Sequence, residues 1–326
     1  MLLNMKSLLS TLVIGIAAGL AASNALAWSG PGHMIVATIA HQELSNDERQ
    51  EFDRMMQNHP AYGRWQQLNP GVTQVSMPRF AAMMASMWPD AIRGTPDDRP
   101  SWHFVTFPMR RPDFAWANRI RTENDAIVAI NRSLDVLGST ASSDRDKAKA
   151  IAWLIHVVGD IHQPLHNASL FEPGLPEDIG DKGGNYLFVK LPSPSNSKVN
   201  LHSYWDGQFG KCDPAAPPSD QVRDLFRTAI TLRRSLSRQD VREELSQHGS
   251  PEAWCKESRY HWIKDAHQNG NFRYAHAFFD EDGKPLPPQN APRLTVQYTQ
   301  NARQVAEHRV VLAGYRLADL LRPMLR

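Results

Sequence analysis

Apolar residues recur at helical spacing along most of the chain, and alternating runs typical of strands are few and short. This pattern predicts an all-α, mainly helical protein. The predicted helices cover residues 33–42, 46–57, 78–87, 119–137, 144–161, 219–236, 251–267 and 294–321. Ser45 and Glu48 form a capping box at the start of the second helix, because each side chain can bond the other's backbone N–H.

Stretches rich in proline and glycine separate the predicted helices at residues 107–112, 172–184, 191–197 and 282–292. We expect these stretches to be long loops, which often carry function when a rigid scaffold holds them. A short extended hairpin is expected around residues 186–191. The chain has no internal repeat, no low-complexity tract and no long linker, so the pattern favours one domain.

The first 27 residues have the composition of a secretory signal peptide. Lys6 precedes an apolar run over residues 8–22, and Ala25 and Ala27 stand at the cleavage positions. The run is short for a membrane anchor, and no basic stop-transfer residues follow it. We therefore expect cleavage after Ala27, export to the periplasm or medium, and a monomeric domain over residues 28–326 without stable membrane association.

The overall charge is nearly balanced, with 36 basic and 34 acidic residues, so a polyanion must be recognised by a local site. Cys212 and Cys255 are the only cysteines, and in an oxidising compartment we expect them to form one disulfide. The chain has thirteen histidines but only these two cysteines. Any zinc must then be bound by His and Asp side chains.

One helical segment places metal-binding residue types on one face. His156 and Asp160 are four residues apart, so on a helix they lie one turn, about 6 Å, from each other. Apolar residues flank both, which turns this face inward. Pro164 then ends the helix and brings His166 into the following turn, where it could bind a neighbouring ion. Taken alone, a pair at this spacing is more often a buried hydrogen-bonded pair than a metal site.

A second pair, His202 and Asp206, repeats this spacing among large apolar side chains and strengthens the metal hypothesis. Two weaker pieces fit the same chemistry. Asp90 lies just past a predicted helix end with Arg93 three residues on, although the two could be a cap and a salt bridge. His103 stands between aromatic residues and could be a packed ring.

The residue after the expected cleavage site supplies another candidate. The α-amine and carbonyl oxygen of Trp28 could chelate one ion in a five-membered ring, and His33 follows after a glycine-rich turn. This arrangement would exist only once the signal peptide is removed.

Six pieces follow one another in order: Trp28 with the glycines before His33, WPDAIR at 88–93, WHF at 102–104, HVVGDIHQPLH at 156–166, GDKGGN at 180–185 and NLHSYWD at 200–206. They resemble the motifs of zinc-dependent single-strand nucleases of the S1/P1 type, whose relatives include bacterial phospholipases C with a related three-zinc site. The resemblance spans residues 28–206, and the C-terminal third matches mainly as generic helix.

The resemblance implies three zinc ions and a ligand set for each. The first ion would be bound by Asp90, His103, His156 and Asp160, the second by Trp28, His33 and Asp160, and the third by His166, His202 and Asp206. Asp160 would therefore bridge two ions, and Asp90 and Asp160 would be catalytic through the metals that they hold.

The resemblance also implies residues that contact the substrate. Arg93 and Asn185 would hold phosphate oxygens. Phe104 would stack on a base, or would otherwise be core, and Tyr186 is a further candidate for substrate binding. Lys182 would orient the glycine turn before Asn185 or would be solvated.

The implied activity is cleavage of single-stranded DNA and RNA to 5′-phosphates, with hydrolysis of 3′-nucleotides. Two alternatives stay open. One is a phospholipase C, although no apolar membrane-binding stretch is evident. The other is an exported protein in which zinc only stabilises the fold. His162, which lies off the face of His156 and Asp160, is interpreted as supporting the site or the fold.

Overall fold

The computed structural model describes residues 28–69, 74–110, 115–116, 120, 122–172, 174–247, 249–268, 278–280 and 284–326. The expected signal peptide lies outside the described residues. The side chains of residues 260–268 are also outside the description.

Helices dominate the described residues, which confirms the prediction of an all-α protein. They are α1 (Gly30–Glu43), α2 (Asn46–Met56), α3 (Tyr62–Leu68), α4 (Met77–Ala91), α5 (Ala126–Gly138), α6 (Asp144–Asp160), α7 (Leu201–Asp206), α8 (Ser219–Ser235), α9 (Arg242–Gln247), α10 (Pro251–Gln268) and α11 (Val296–Leu321). Short 3-10 turns lie at Pro100–His103, Pro164–Asn167, Gly207–Phe209, Pro288–Asn290 and Arg322–Met324.

The strands are short and lie beside the helices. They are β1 (Pro108–Arg110), β2 (Ala115–Trp116), β3 (Ser169–Leu170), β4 (Phe188–Lys190) and β5 (Lys198–Asn200). β1 pairs antiparallel with β2 and parallel with β3, with Met109 opposite Leu170. β4 and β5 are antiparallel, with Val189 opposite Val199. The expected hairpin therefore includes residues beyond 186–191, because β5 follows the loop at 191–197.

Helix α1 lies at the centre of the main core. Its residues are buried from Gly30 to His41, because nearly all its faces are apolar and it contacts α4, α6, α8 and α11. Gly314 allows α11 to approach α1 closely, since a Cβ on Gly314 would lie 2.5 Å from Cγ2 of Ile39 in α1. A smaller apolar cluster lies under the strands and α7, where Trp205 Nε1 donates to Tyr298 Oη at 3.1 Å.

Most long helices occur where the apolar pattern predicts them, and their ends follow local hydrogen bonds. The capping box of α2 is present, with Ser45 N donating to Glu48 Oε2 at 2.9 Å and Glu48 N to Ser45 Oγ at 3.2 Å. α5 begins at Ala126, seven residues later than expected, because Asp125 caps it by accepting from Val128 N at 3.0 Å.

The end of α4 corrects one expectation. Asp90 was expected just past a helix end, but α4 continues through Pro89 to Ala91, so Asp90 lies within its last turn. The helix continues because the buried face of α4 packs on α1 and α6. This packing overrides the local preference of proline against helix interiors.

The expected disulfide between Cys212 and Cys255 is absent, which corrects the inference drawn from their number. Cys212 follows α7 and its Sγ lies 3.8 Å from Met87 Sδ, whereas Cys255 is buried within α10. The even number of cysteines carried no information about their separation, which decides whether a bond can form. Among the described residues, no helix is both long enough and apolar enough to span a membrane.

Candidate metal centre

Three buried groups of potential metal ligands lie among the described residues, and in each group the ligand atoms are within 4.8 Å of one another. The groups are His33, His156 and Asp160; Asp90, His103 and His156; and His166, His202 and Asp206. Every His and Asp that the sequence motifs singled out as a ligand belongs to one of them. The structure therefore brings together residues that are up to 173 positions apart, from His33 to Asp206.

The first two groups share His156, and Asp160 of the first group also lies close to His103 of the second. Asp160 Oδ1 lies 3.2 Å from His33 Nε2, and Asp160 Oδ2 lies 3.1 Å from His103 Nδ1 and 3.3 Å from His156 Nε2. The carboxylate has no solvent exposure. Three imidazoles from three separate elements thus converge on one buried carboxylate, which is the arrangement expected of a bridging ligand.

The packing of α1 against α6 sets the position of His33. The His33 and His156 rings are stacked, with centroids 3.9 Å apart and planes at 16°. This approach requires Gly159, since a Cβ there would lie 2.7 Å from His33 Nδ1. The sequence motif contains this glycine, but the reason for it becomes visible only once α1 is in place.

The third group forms along one face of α7, where helical spacing places His202 and Asp206 one turn apart. His202 Nε2 lies 3.5 Å from Asp206 Oδ2, and His166 Nε2 lies 3.6 Å from Asp206 Oδ1. The two imidazoles are stacked with centroids 4.8 Å apart.

Backbone carbonyls fix the orientation of three of these histidines. Each ring donates from Nδ1 to a carbonyl oxygen, so Nε2 is left unprotonated and faces the cluster. The bonds run from His156 to Ser86 at 2.7 Å, from His166 to His103 at 2.5 Å and from His202 to Gly183 at 2.7 Å.

Several of the buried ligand atoms lack a hydrogen-bond partner, which is costly unless another species satisfies them. They include Nε2 of His33, His166 and His202, and Oδ1 of Asp160. Nitrogen and oxygen ligands in compact groups suit Zn²⁺. The residues present therefore fit a cluster of zinc ions.

The electrostatics of the site favour the same ligand chemistry. Burial lowers the pKa of His156 and of His166 to about 4, so both are neutral at pH 7, which is the form that binds metal. Burial raises the pKa of Asp206 to about 7, and burial together with Asp90 raises that of Asp160 well above its usual range. A bound cation would stabilise both carboxylates in their charged form.

The segment before α1 is anchored beside the third group. Ser29 N and Ser29 Oγ both donate to the Asp206 carbonyl, at 3.0 and 2.9 Å. Trp28 is fully buried, and its Cβ lies 2.8 Å from where a Cβ on Gly32 would be. Trp28 therefore precedes the residue that is bonded to the Asp206 backbone and packs against the first turn of α1, while chelation by its α-amine stays a prediction.

Residues expected to contact substrate lie around the metal groups. Phe104 follows buried His103 but is 46% exposed, so the alternative that it belongs to the core is wrong. Tyr186 is 39% exposed. Arg93 forms the salt bridge to Asp90 that the alternative interpretation anticipated, with Nη2 3.0 Å from Asp90 Oδ1.

The glycine turn before Asn185 depends on left-handed backbone conformations. Lys182, Gly183 and Gly184 have φ angles of 53°, 61° and 83°. A Cβ on Gly183 would lie 2.5 Å from the Leu165 carbonyl oxygen. A larger residue would therefore shift the backbone of Gly183, whose own carbonyl orients His202. The Lys182 side chain is exposed, and its carbonyl accepts from Asn185 Nδ2 at 2.7 Å.

Gln163 is a supporting residue that the sequence reasoning missed. It is fully buried, its Nε2 donates to Asp206 Oδ1 at 2.7 Å, and its Oε1 accepts from Leu165 N at 2.5 Å. These two bonds fix both the amide and the carboxylate. The sequence did hold a clue to this role, since Gln163 lies between His162 and Pro164 in the histidine motif. A buried polar residue at such a place needs a hydrogen-bond partner.

Comparison with known proteins gives a family match and several relatives. A family model described as S1/P1 Nuclease matches residues 28–326. The chain is similar to Nuclease S1 of Aspergillus oryzae, with 24% identity over 223 residues that cover 68% of this chain and 70% of that protein. It is also similar to Endonuclease 3 of Arabidopsis thaliana, with 26% identity over 191 residues that cover 56% of this chain and 55% of that protein.

Nuclease P1 of Penicillium citrinum is 26% identical over 184 residues, which cover 55% of this chain and 57% of that protein. The chain therefore spans little more than half the length of the plant endonuclease and of Nuclease P1.

Proposed function

Because the chain belongs to the S1/P1 nuclease family, we propose that it is a zinc-dependent phosphodiesterase that cleaves single-stranded DNA and RNA to products with 5′-phosphates. The proposal includes hydrolysis of 3′-nucleotides. The observation that carries it is the convergence of three buried His and Asp groups within a chain that the family model matches from residue 28 to residue 326.

The proposal assigns one zinc ion to each group. One ion would be held by Asp90, His103, His156 and Asp160, a neighbouring ion by Trp28, His33 and Asp160, and the third by His166, His202 and Asp206. Zinc ions bound there would supply Lewis-acid activation of water and of a phosphate ester at neutral pH.

Arg93 is proposed to bind a phosphate oxygen of the substrate. Its Nε and Nη2 both donate to Asp90 Oδ1, at 3.3 and 3.0 Å, so the guanidinium plane is fixed beside the group of Asp90, His103 and His156. Neither bond uses Nη1, and the side chain is 20% exposed. An arginine held in this way presents a preorganised charged donor where negative charge accumulates.

Asn185 is proposed to bind a second phosphate oxygen. Its amide is held at the glycine turn by the bond from Nδ2 to the Lys182 carbonyl, and the residue is half-buried. The same turn presents the Gly183 carbonyl to His202, so the position of Asn185 is tied to that of the third group. The second hydrogen of the Nδ2 group can then donate to substrate.

Phe104 is proposed to stack on a base of the substrate. Its side chain is exposed, while its backbone is held by the bond from Ala126 N to the Phe104 carbonyl at 3.1 Å. A base in an unpaired strand offers its face to such a ring, whereas a duplex hides it. Exposed Tyr186, beside Asn185, is a second candidate contact.

The experiment that tests this function is hydrolysis of a substrate panel by zinc-loaded protein. The panel contains single-stranded DNA, the same sequence as duplex, single-stranded RNA, 3′-AMP and phosphatidylcholine vesicles. We expect the single strands and 3′-AMP to be cleaved and duplex to react more slowly. Preferential cleavage of phosphatidylcholine would instead indicate a phospholipase C, and zinc retention without any hydrolysis would indicate a structural role for the metal.

A further inference from the structure

The turn that joins Asp160 to His166 is held from the far end of the chain by two buried arginines of α11. We propose that Arg309 and Arg316 are positioning residues for the metal centre, acting through His162. This inference rests on the proposed function, because it takes Asp160 and His166 as zinc ligands.

His162 is fully buried in the middle of this turn and is bonded at three points. Its ring Nδ1 donates to the Val158 carbonyl at 2.7 Å, and its Nε2 accepts from Arg316 Nη1 at 3.0 Å. The His162 carbonyl accepts from Arg309 Nε at 3.3 Å. Since an arginine only donates and a carbonyl only accepts, these partners fix one tautomer and one orientation of the ring.

The same turn carries the ligands on either side of His162. Asp160 is the last residue of α6, and His166 lies in the 3-10 turn that follows. The bond from His162 to Val158 ties the turn back onto the last turn of α6. Asn167 Nδ2 closes the other side by donating to the Ile161 and Gln163 carbonyls, at 2.8 and 3.0 Å. A shift of His162 would therefore move both ligands.

The two arginines form an ionic group with Glu257 of α10. Arg309 Nη1 bonds Glu257 Oε1, and Arg316 Nη2 bonds Glu257 Oε2 at 2.5 Å. Arg309 is 0% and Arg316 is 2% exposed. Backbone carbonyls add further bonds, from Arg309 Nη2 to Trp254 O at 3.4 Å and from Arg316 Nη2 to Glu244 O at 3.1 Å. The guanidinium groups are thus fixed on the side away from His162.

A buried ionic group of this kind is a costly way to join two helices. Removing two guanidinium groups and a carboxylate from water is expensive, and apolar side chains of similar volume could join α10 to α11 at equal or lower cost. What apolar side chains could not provide is a pair of directed donors to His162. This is the physical reason for assigning a positioning role to Arg309 and Arg316.

The test is zinc binding by the whole protein, measured by titrating metal-free protein against a competing chelator. Arg316→Met removes the donor to His162 while keeping much of the side-chain volume, and we expect zinc affinity to fall about tenfold, as for other residues that orient metal ligands. Arg316→Lys keeps a cationic donor group and should lose less. The control is Arg238→Met, because Arg238 also joins separate elements through Glu43, Asp319 and the Tyr315 carbonyl.

A double-mutant cycle then tests whether Arg316 acts through His162. If it does, Arg316→Met should cause little further loss of zinc in a His162→Ala background, so that the two effects are not additive. Additive losses, or zinc affinity in Arg316→Met within twofold of wild type, would overturn the inference. The two arginines and Glu257 would then serve only to connect α10 to α11.

Two outcomes outside this cycle also decide the question. If Arg316→Met does not fold, as judged by circular dichroism, then Arg316→Lys and Arg309→Lys replace it in the same cycle. If wild-type protein binds no zinc, the proposed function itself fails, and the inference fails with it.

Discussion

Gly159 shows how one residue decides the shape of the site. A Cβ at this position would lie 2.7 Å from His33 Nδ1, in a core where neither helix can move freely. We expect Gly159→Ala to displace His33, to lower the free energy of unfolding by about 1–3 kcal/mol, and to weaken zinc binding. Denaturant unfolding and zinc titration would measure both effects.

The matched control for this substitution is Gly63→Ala. Gly63 lies in α3, where an added Cβ would meet nothing within 4 Å. The control should leave zinc binding unchanged and should not destabilise the protein. Equal effects of the two substitutions would contradict the role given to Gly159.

Phe104 is the residue at which single-strand preference can be tested. Loss of a stacked base costs about 1–3 kcal/mol, so Phe104→Ala should raise KM for single-stranded DNA roughly 5- to 150-fold. Hydrolysis of a substrate without a base, such as bis(p-nitrophenyl) phosphate, should change little. Ile179→Ala serves as the control, since Ile179 is also a large apolar residue on the surface. A similar loss on both substrates would count against stacking.

At the scale of elements, α1 carries His33 near one end and a stabilising ionic contact at the other. Glu43 accepts from Arg233 Nε at 2.6 Å and also bonds Arg238. Burial alone would raise the pKa of Glu43, but the hydrogen bonds from Arg238 and Arg233 outweigh it and hold the pKa below its usual value. Ten residues of helix, about 15 Å, separate Glu43 from His33.

Glu43→Gln should therefore reduce stability without changing zinc binding. Both arginines are about a third exposed, so we expect the free energy of unfolding to fall by only about 1–2 kcal/mol. Because the folded pKa is depressed, this stabilisation is complete above the unfolded pKa of about 4.3 and is lost as pH falls through the folded pKa. Urea unfolding of both proteins at pH 7 and pH 3 should show the difference shrinking at low pH.

The segment ahead of α1 gives a second prediction at this scale. Ser29 is anchored to Asp206 next to the metal groups, and the proposed ligands include the α-amine of Trp28. One extra residue ahead of Trp28 would convert that amine to a peptide nitrogen, so zinc content and hydrolysis should both fall. A residue added after Arg326 is the control, and equal zinc content in the two proteins would argue against chelation by Trp28.

At the scale of the whole molecule, the apolar pattern predicts the long helices because each repeats its signal over several turns. It misses α3, α7 and α9, which have only six or seven residues each. The metal ligands are predictable for a related reason. His156 and Asp160 lie at helical spacing within a predicted helix, so sequence position alone places them on one face. His202 and Asp206 repeat the spacing, although the helix that carries them was not predicted.

The features that sequence could not supply all depend on contacts between distant segments. The need for Gly159 arises from His33 of α1, 126 positions before it, and Gln163 acts on Asp206, 43 positions further on. Arg309 and Arg316 reach His162 across 147 and 154 positions. The prediction of a disulfide between Cys212 and Cys255 was wrong for the same reason, because the number of cysteines does not tell how far apart they lie in the fold.

The most direct test of the account is the zinc content of purified protein, measured by mass spectrometry alongside hydrolysis of single-stranded DNA. With one ion for each of the three groups, wild type should hold three zinc ions. Asp206→Asn should lose the third ion, and Asp160→Asn should lose the two that it bridges, with hydrolysis reduced at least about a hundredfold. Fewer than two zinc ions in wild type, or undiminished hydrolysis by Asp160→Asn, would contradict the account.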